Sequence, residues 1–141
     1  MNLIIDENVN GITLKSLQKL RNELGRRIDH LVEVHRIQTD KICCGYLIFD
    51  FTTREAIWTG DGFRTDEGGE GGSGERTAKI LFHIYGIRLF EGEIEYIKEG
   101  CKEEYVKKLE KYIKETLEGY DEDKPGIHKP LSNNLPFYIR N

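Results

Sequence analysis

The chain has 141 residues, of which 38% are hydrophobic and 33% are charged, and this predicts one globular domain over residues 1–141. Its formal net charge of −4 excludes the uniformly basic surface that duplex nucleic acid requires. No apolar run approaches the roughly 18 residues of a membrane-spanning helix, and no signal-peptide pattern opens the sequence. We therefore expect a cytoplasmic protein that contacts neither duplex nucleic acid nor a membrane.

Cysteine content argues against a structural metal site. Cys43, Cys44 and Cys101 are odd in number and lack the paired spacing of zinc ligands. The adjacent residues Cys43 and Cys44 would point to opposite faces of a strand. We interpret all three as small hydrophobic residues in a reducing compartment, and we expect no metal and no cofactor.

The first predicted element is an amphipathic helix near the start of the chain. Its apolar residues recur at spacings of three and four: Leu14, Leu17, Leu20, Leu24 and Ile28. Thr13 directly precedes this pattern, and a threonine hydroxyl can accept a hydrogen bond from an amide of the first helical turn. We therefore expect Thr13 to be the N-cap.

Three strand-like runs follow, over residues 31–37, 42–51 and 56–59. The two connections between them contain only a few residues each, which suits antiparallel neighbours. The middle run is apolar on both faces, so we expect it to be the central and most covered strand.

The second half of the chain is predicted to be mainly helical. A short buried helix should end near Gly86, since glycine suits a left-handed cap. Residues 87–97 fit either element: the run 93–97 between two glycines resembles a strand, but Ile94, Ile97 and Cys101 also continue a helical stripe. From Lys102 the apolar positions describe a long amphipathic helix: Tyr105, Val106, Leu109, Tyr112, Ile113 and Leu117.

Residues 119–141 contain three prolines and are predicted to form an extended tail. Together these elements predict the α+β class. We expect a small antiparallel sheet with packed helices and a long C-terminal amphipathic helix.

Glycine dominates the stretch between the third strand and the second helix. Seven of the fifteen residues from Gly60 to Gly74 are glycine, in the sequence GDGFRTDEGGEGGSG. Successive amides without Cβ atoms can converge on an anion, and a helix N-terminus adds unpaired amides and a positive dipole end. Such a helix is predicted to begin between Ser73 and Thr77. We therefore predict a glycine-rich loop over 60–74 that cradles a phosphate.

The predicted ligand-binding residues lie in and beside this loop. They are Trp58, Asp61, Gly62, Phe63, Arg64, Thr65, Gly71, Gly72, Ser73, Gly74, Arg76 and Thr77. Arg64 and Arg76 would donate charge-assisted hydrogen bonds to phosphate. Trp58 and Phe63 would stack on a base, unless they pack in the core instead. No catalytic residue is predicted.

Other interpretations of the loop stay open. Gly69, Gly71 and Gly74 match the dinucleotide-binding pattern GxGxxG, but that pattern requires a parallel strand before it. Residues 60–76 contain five acidic residues and two arginines, so a bare polyphosphate would be repelled without a divalent cation. One alternative is therefore a metal-dependent nucleotide hydrolase or transferase that uses Asp61 and Asp66. Another is an interaction protein whose solvated loop is incidental.

The size of the chain, its sheet and charged helices, and the loop GDGFRTDEGGEGG resemble a family of phage proteins. These are sponges for nucleotide signals, most nearly the Thoeris anti-defence proteins that sequester cyclic ADP-ribose derivatives. The resemblance concerns the layout of most of the chain, and no binding residue is transferred from it. It implies a non-enzymatic homo-oligomer that sequesters a phosphate-bearing nucleotide and counteracts anti-phage signalling in the cytoplasm of an infected bacterium.

The last predicted helix is a separate reason to expect at least a dimer. Its apolar stripe is wider than one contact covers, so part of it would be exposed unless a second subunit packs there. The alternative is that the sheet and the tail cover the whole stripe within one chain.

Overall fold

The computed structural model describes residues 1–66 and 68–118, apart from the side chain of Glu7. This part of the chain contains six strands and three α-helices, and the predicted α+β class is confirmed. In chain order they are β1 Asn2–Ile4, α1 Thr13–Arg26, β2 Val32–Gln38, β3 Cys43–Asp50, β4 Glu55–Trp58, β5 Phe63–Arg64, α2 Gly69–Tyr85, β6 Leu89–Glu93 and α3 Lys102–Glu118. A 3-10 turn, Glu7–Val9, precedes α1.

The sheet is mixed. Its strands follow the order β1-β4-β3-β2-β6, and β5 pairs with the first residues of β3. The pairs β2–β3 and β3–β4 are antiparallel, as predicted. The outer pairs β1–β4 and β2–β6 are parallel, so the expectation of an antiparallel sheet is wrong at both edges. Parallel neighbours need a long connection, and the chain between β2 and β6 passes through three strands and α2.

Alternate residues of β3 build two apolar cores, one on each face of the sheet. Tyr46 and Ile48 pack toward α1 and α2, whereas Leu47 and Phe49 pack toward α3. All four side chains are fully buried. Successive residues of a strand point to opposite faces, so a strand covered on both faces is apolar throughout. The prediction that this run is the central, most covered strand is confirmed.

The first helix begins where it was expected to begin, but its cap differs. Ile12 is the N-cap of α1, and no side chain caps this end. The Thr13 hydroxyl instead donates to the carbonyl oxygen of Gly62 at 2.6 Å. The prediction of Thr13 as the N-cap is therefore wrong, because its side chain ties α1 to the segment after β4.

The apolar stripe of α1 is also only partly used. Leu20 and Leu24 are buried, but Leu14 is 65% exposed and Ile28 is 66% exposed. The buried face includes the polar Glu23. The middle of the predicted stripe is therefore buried, but the apolar residues at its two ends are exposed to solvent.

The glycine-rich segment is mainly helical, which corrects the predicted loop over 60–74. Helix α2 begins at Gly69 rather than between Ser73 and Thr77. Its end matches the expectation, since Gly86 caps it in the left-handed region at φ 64°. Glycine is a poor helix former, and close packing is the reason for it here. A Cβ at Gly74 would overlap the Thr13 side chain of α1.

The last elements follow the prediction in part. Within residues 87–97, which the sequence left open between strand and helix, the structure has the strand β6 at Leu89–Glu93. Helix α3 begins at Lys102 as expected, and it buries Tyr105, Leu109 and Ile113 against the sheet. The predicted extended tail, residues 119–141, lies outside the described residues.

Candidate functional site

The fold divides the predicted ligand residues into a buried group and a surface group. Trp58 and Phe63 are fully buried, and they lie in the cores on opposite faces of the sheet. Trp58 also donates from Nε1 to Asn10 Oδ1 at 2.7 Å. Neither ring reaches the surface to stack on a base, so both occupy the core positions that the alternative interpretation gave them.

Asp61 is a structural link in the segment after β4. It is 7% exposed and accepts hydrogen bonds from the Gly11 amide at 2.8 Å and the Thr39 hydroxyl at 2.9 Å. The Tyr105 hydroxyl of α3 donates to it at 2.6 Å. Burial and then this contact with Asp61 raise the pKa of Tyr105, which keeps the hydroxyl a donor. Gly62, the next residue, is also buried.

The surface group begins with Arg64 and Thr65. Arg64 Nε and Nη2 donate to the two oxygens of Asp66 at 2.9 and 2.6 Å, so the guanidinium already binds a carboxylate. Gly71 packs over the Arg64 side chain. Asp61 is buried and Asp66 is exposed, so these two acids occupy different environments.

The remaining predicted residues belong to α2. Ser73, Arg76 and Thr77 are exposed, whereas Gly72 and Gly74 are buried. The Gly72 amide donates to the carbonyl oxygen of Gly68 at 2.9 Å. Amides inside a helix bond to carbonyls four residues earlier, so amides from Gly72 onward are not available to a ligand. Of the amides from Gly71 to Gly74 that were predicted to form the cradle, those from Gly72 onward therefore donate within the helix.

Two adjoining clefts lie beside β6 and α3. The acidic cleft has a volume of about 630 Å³ and is lined by Arg36, Gln38, Thr65, Glu91, Gly92, Glu93, Tyr112, Glu115, Thr116 and Glu118. The lysine cleft has a volume of about 520 Å³ and is lined by Glu93, Ile94, Glu95, Lys107, Lys108, Lys111, Tyr112 and Glu115. Both volumes are in the range of small-molecule sites. The predicted site contributes Thr65 to the acidic cleft.

Arg36 is the cation of the acidic cleft, and carboxylates hold it from two sides. Its Nη1 donates to Glu75 at 2.8 Å and its Nη2 donates to Glu91 at 2.5 Å. Glu75 is 2% exposed and also accepts from the Tyr46 hydroxyl at 2.6 Å. Burial alone would lower the pKa of Arg36, but the hydrogen bond to Glu75 raises it overall. Arg36 is therefore a permanent and well-positioned cation.

Tyr112 separates the two clefts. Its hydroxyl lies 2.6 Å from Nδ1 of His35, and the His35 ring lies against two other aromatic rings of this face. Its ring centroid lies 4.5 Å from that of Phe49 and 5.2 Å from that of Phe90. Gly92 lies so close that a Cβ there would overlap the Tyr112 hydroxyl. These contacts hold the tyrosine ring in place between the two clefts.

Three lysines of α3 supply the positive charge of the lysine cleft: Lys107, Lys108 and Lys111. Lys108 Nζ donates to the Tyr96 carbonyl oxygen at 2.6 Å and to Glu104 at 3.1 Å. The Glu104 carboxylate also accepts from three successive amides of the loop before α3. The hydrogen bond from the Lys98 amide is the largest cause that lowers the pKa of Glu104, to about 2. The carboxylate therefore holds the loop and Lys108 together.

Sequence reasoning missed both clefts. One signal was present, since Lys107 and Lys111 are four residues apart and such residues share one side of a helix. Nothing local in the sequence places Arg36 of β2 beside α3, because these elements meet only in the folded sheet.

Within residues 1–66 and 68–118, no group of three His, Cys, Asp or Glu side chains could hold a metal ion. Among the helices of the same part of the chain, none is long and apolar enough to cross a membrane.

The fold and the clefts define an α+β protein with a mixed sheet between two helical layers and adjoining surface clefts at one sheet edge. No protein-family model matches the sequence, and a comparison with curated proteins finds no match. One solved structure, titled "Respiratory complex I from Thermus thermophilus", contains a similar chain with a TM-score of 0.56 and 16% identity. The match covers 94% of this chain and 96% of that chain. At this identity the likeness shows the fold alone.

Proposed function

We propose that this protein binds and sequesters a phosphate-bearing nucleotide signal without converting it, and that the lysine cleft is the binding site. The observation that carries this proposal is the junction of the lysine cleft with the acidic cleft at Tyr112. A nucleotide needs cations for its phosphates, hydrogen-bond acceptors for its ribose hydroxyls and a flat surface for its base. Lysine and glutamate side chains line this junction, and the exposed Tyr96, which lines neither cleft, is proposed to turn its ring toward the base.

The lysines account for phosphate binding. Lys107 and Lys111 are both exposed and lie one turn apart on α3, so their ammonium groups can approach the same phosphate. Each charge-assisted hydrogen bond of this kind contributes about 1.5–3 kcal/mol. Lys108 is already paired with Glu104, so the phosphate contacts are assigned to Lys107 and Lys111.

Tyr96 in the loop after β6 is proposed to contact the base, and glutamates of β6 and α3 are proposed to contact the ribose. Tyr96 is 48% exposed, and its carbonyl oxygen is tied to Lys108 at the cleft. Stacking of a base on an aromatic ring contributes about 1–3 kcal/mol. Glu93 and Glu115, in the wall between the clefts, are acceptors for ribose hydroxyls.

The resemblance to the Thoeris anti-defence sponges supports a cyclic ADP-ribose derivative as the ligand. It also supports a role against anti-phage signalling in the cytoplasm of an infected bacterium. Sequestration requires that the ligand is held and not converted. We therefore expect nucleotide recovered from the denatured complex to be chemically unchanged, with or without magnesium. Chromatography that finds a magnesium-dependent product would favour the hydrolase or transferase alternative instead.

The variant Lys111→Ala tests the site. Isothermal titration calorimetry with ADP-ribose and cyclic ADP-ribose derivatives should show binding to the wild type, and about tenfold weaker binding to the variant. The matched control is Lys114→Ala, which removes an exposed lysine of the same helix that lines neither cleft. Equal affinities for the wild type and Lys111→Ala would contradict the site, and no binding to the wild type would contradict the ligand class.

A further inference from the structure

The outer edge of the sheet at β6 has backbone groups that β2 does not use. In the described part of the chain, the strand that pairs with β6 is β2, in parallel register. The carbonyl oxygen of Arg88, just before β6, accepts from the Val34 amide of β2 at 3.1 Å. Because backbone groups alternate in direction along a strand, the N–H and C=O groups of Glu91 and Glu93 point away from β2. Such an edge can pair with another extended segment.

The acidic cleft extends around this edge to both faces of the sheet. On the face covered by α2, Arg36 of β2 forms ion pairs with Glu75 of α2 and Glu91 of β6. On the face covered by α3, the cleft is lined by Tyr112 and Thr116. Successive side chains of an extended segment point to opposite faces. A segment paired with β6 would therefore place alternate side chains in the two halves of the cleft.

The acidic cleft carries an excess of negative charge. Its lining includes one cation, Arg36, and four carboxylates: Glu91, Glu93, Glu115 and Glu118. Arg36 already forms an ion pair with Glu91, so three carboxylates exceed the cations of the lining. Residues 119–141 contain three acidic residues and three lysines or arginines, so their own net charge of zero does not offset this excess. A cleft lined mainly by one sign of charge attracts the opposite sign.

We propose that the outer edge of β6 binds a basic, extended segment of a partner protein, which adds a strand to the sheet. The backbone of this segment pairs with Glu91 and Glu93, and its lysine or arginine side chains contact the carboxylates of the cleft. A second copy of this chain is disfavoured here, because two paired β6 strands would bring their own glutamates together, and like charges destabilise such a pair. The binding needs no nucleotide, so its test is independent of the proposed function.

Hydrogen exchange of single amides, measured by NMR on the full chain without nucleotide, tests this binding. The probe is a blocked peptide of alternating lysine and threonine with about eight residues, a usual strand length. At saturation the Glu91 and Glu93 amides should exchange about tenfold more slowly, because each gains a hydrogen bond to the peptide. Binding without this protection, or no binding, would overturn the proposal. Slow exchange of both amides without peptide would also overturn it, since another part of the chain or a second copy would then cover the edge.

Two variants of one residue separate charge from backbone pairing. Glu93→Gln removes one exposed carboxylate of the cleft and should weaken peptide binding, measured by fluorescence anisotropy, about twofold to fivefold. Glu93→Pro also removes the outward N–H, which an edge strand tolerates, and should weaken binding about fivefold further.

The matched control for charge is Glu110→Gln, which changes an exposed glutamate of α3 that does not line this cleft and should leave the affinity unchanged. A peptide of alternating glutamate and threonine should not bind. Equal affinities of Glu93→Gln and Glu93→Pro would overturn the strand pairing. Equal losses in Glu93→Gln and Glu110→Gln would overturn the position of the site.

Discussion

Two backbone segments lie in direct contact at each of three glycines, Gly45, Gly60 and Gly62. A side chain would not fit between them, which explains the glycine at each position. A Cβ on Gly62 would meet backbone atoms of Ile12 at 2.5 and 2.6 Å. Gly60 also has a φ of 96°, a conformation that side chains with a Cβ rarely adopt. At the scale of single residues, these glycines therefore serve close packing between the segment after β4 and its neighbours.

We expect Gly45→Ala to destabilise the fold by about 1–3 kcal/mol, the usual cost of overpacking a core. The new Cβ would overlap the Gly60 carbonyl oxygen and the Trp58 ring, and a backbone oxygen cannot rotate away as a flexible side chain does. Urea denaturation, followed by circular dichroism, measures the effect.

The matched control is Gly25→Ala on the exposed side of α1. There the nearest atom to a new Cβ is the Tyr85 hydroxyl oxygen at 3.9 Å. Alanine favours the helix over glycine by up to about 1 kcal/mol, so this variant should be as stable as the wild type or more stable. Similar urea midpoints of unfolding for Gly45→Ala and Gly25→Ala would show that the packing around Gly45 is not tight.

At the scale of elements, one charged cluster around Arg27 joins α1, β3 and β4. Arg27 is 6% exposed. It donates to Glu23 at 3.0 Å, to Asp50 at 2.6 Å and to Glu55 at 3.1 Å. His30 Nδ1 lies 2.7 Å from the same Asp50 carboxylate. These contacts fix the end of α1 against the hairpin formed by β3 and β4.

We expect Asp50→Asn to cost about 3–5 kcal/mol at neutral pH, because it leaves the buried Arg27 without its closest counter-charge. The matched control is Asp29→Asn, which changes an exposed aspartate near the same end of α1. Urea denaturation at pH 7 should show wild-type stability for the control. A loss below 1 kcal/mol for Asp50→Asn would contradict the importance of this pair.

The same variant should reveal a pH dependence. Burial raises the pKa of Asp50, but hydrogen bonds from His30 and Arg27 outweigh burial and lower it below 3.8. A carboxyl group with a lowered pKa stabilises the fold above its unfolded-state value and loses this contribution as the pH falls through the folded-state value. The difference in the free energy of unfolding between the wild type and Asp50→Asn should therefore become smaller below pH 3.8. Urea denaturation that gives the same difference in unfolding free energy down to pH 2 would contradict a stabilising role for the charged Asp50 carboxylate.

At the scale of the whole molecule, α2 carries exposed apolar side chains that the dimer prediction did not consider. The sheet covers Tyr105, Leu109 and Ile113 of α3 within one chain, and Val106 and Leu117 are half-buried. On α2, however, Ile80 is 58% exposed and Ile84 is 69% exposed, one helical turn further on. An apolar patch of this kind is typical of a protein contact surface.

We therefore expect self-association through α2 rather than through α3. Sedimentation equilibrium at micromolar concentration should give a mass above the 16.4 kDa of one chain. The double variant Ile80→Lys/Ile84→Lys should return the mass to that of a monomer, because charged groups resist burial in a contact. The control Glu103→Lys/Glu110→Lys adds lysines to exposed positions of α3 and should leave the mass unchanged. A wild-type mass of one chain would contradict the prediction.

Periodic patterns predicted those elements whose geometry depends on near neighbours in the chain. The apolar spacing from Tyr105 to Leu117 indicated α3, and the apolar run around Tyr46 indicated the central strand. The start of α2 was missed because glycine has a low helix propensity, and the helix there is stabilised by α1 and by Phe63. Thr13 was assigned as a cap for a similar reason, since its actual acceptor is 49 residues away at Gly62.

The sequence by itself determined the α+β class, the antiparallel centre of the sheet and the amphipathic α3, because these depend on periodicity over a few residues. The parallel edge strands, the burial of Trp58 and Phe63 and the position of both clefts were decided only by tertiary structure. Each of them joins segments that are far apart in the chain, as when Arg36 of β2 and Tyr112 of α3 line one cleft. Such contacts depend on how the layers pack, and no local pattern of residues encodes that.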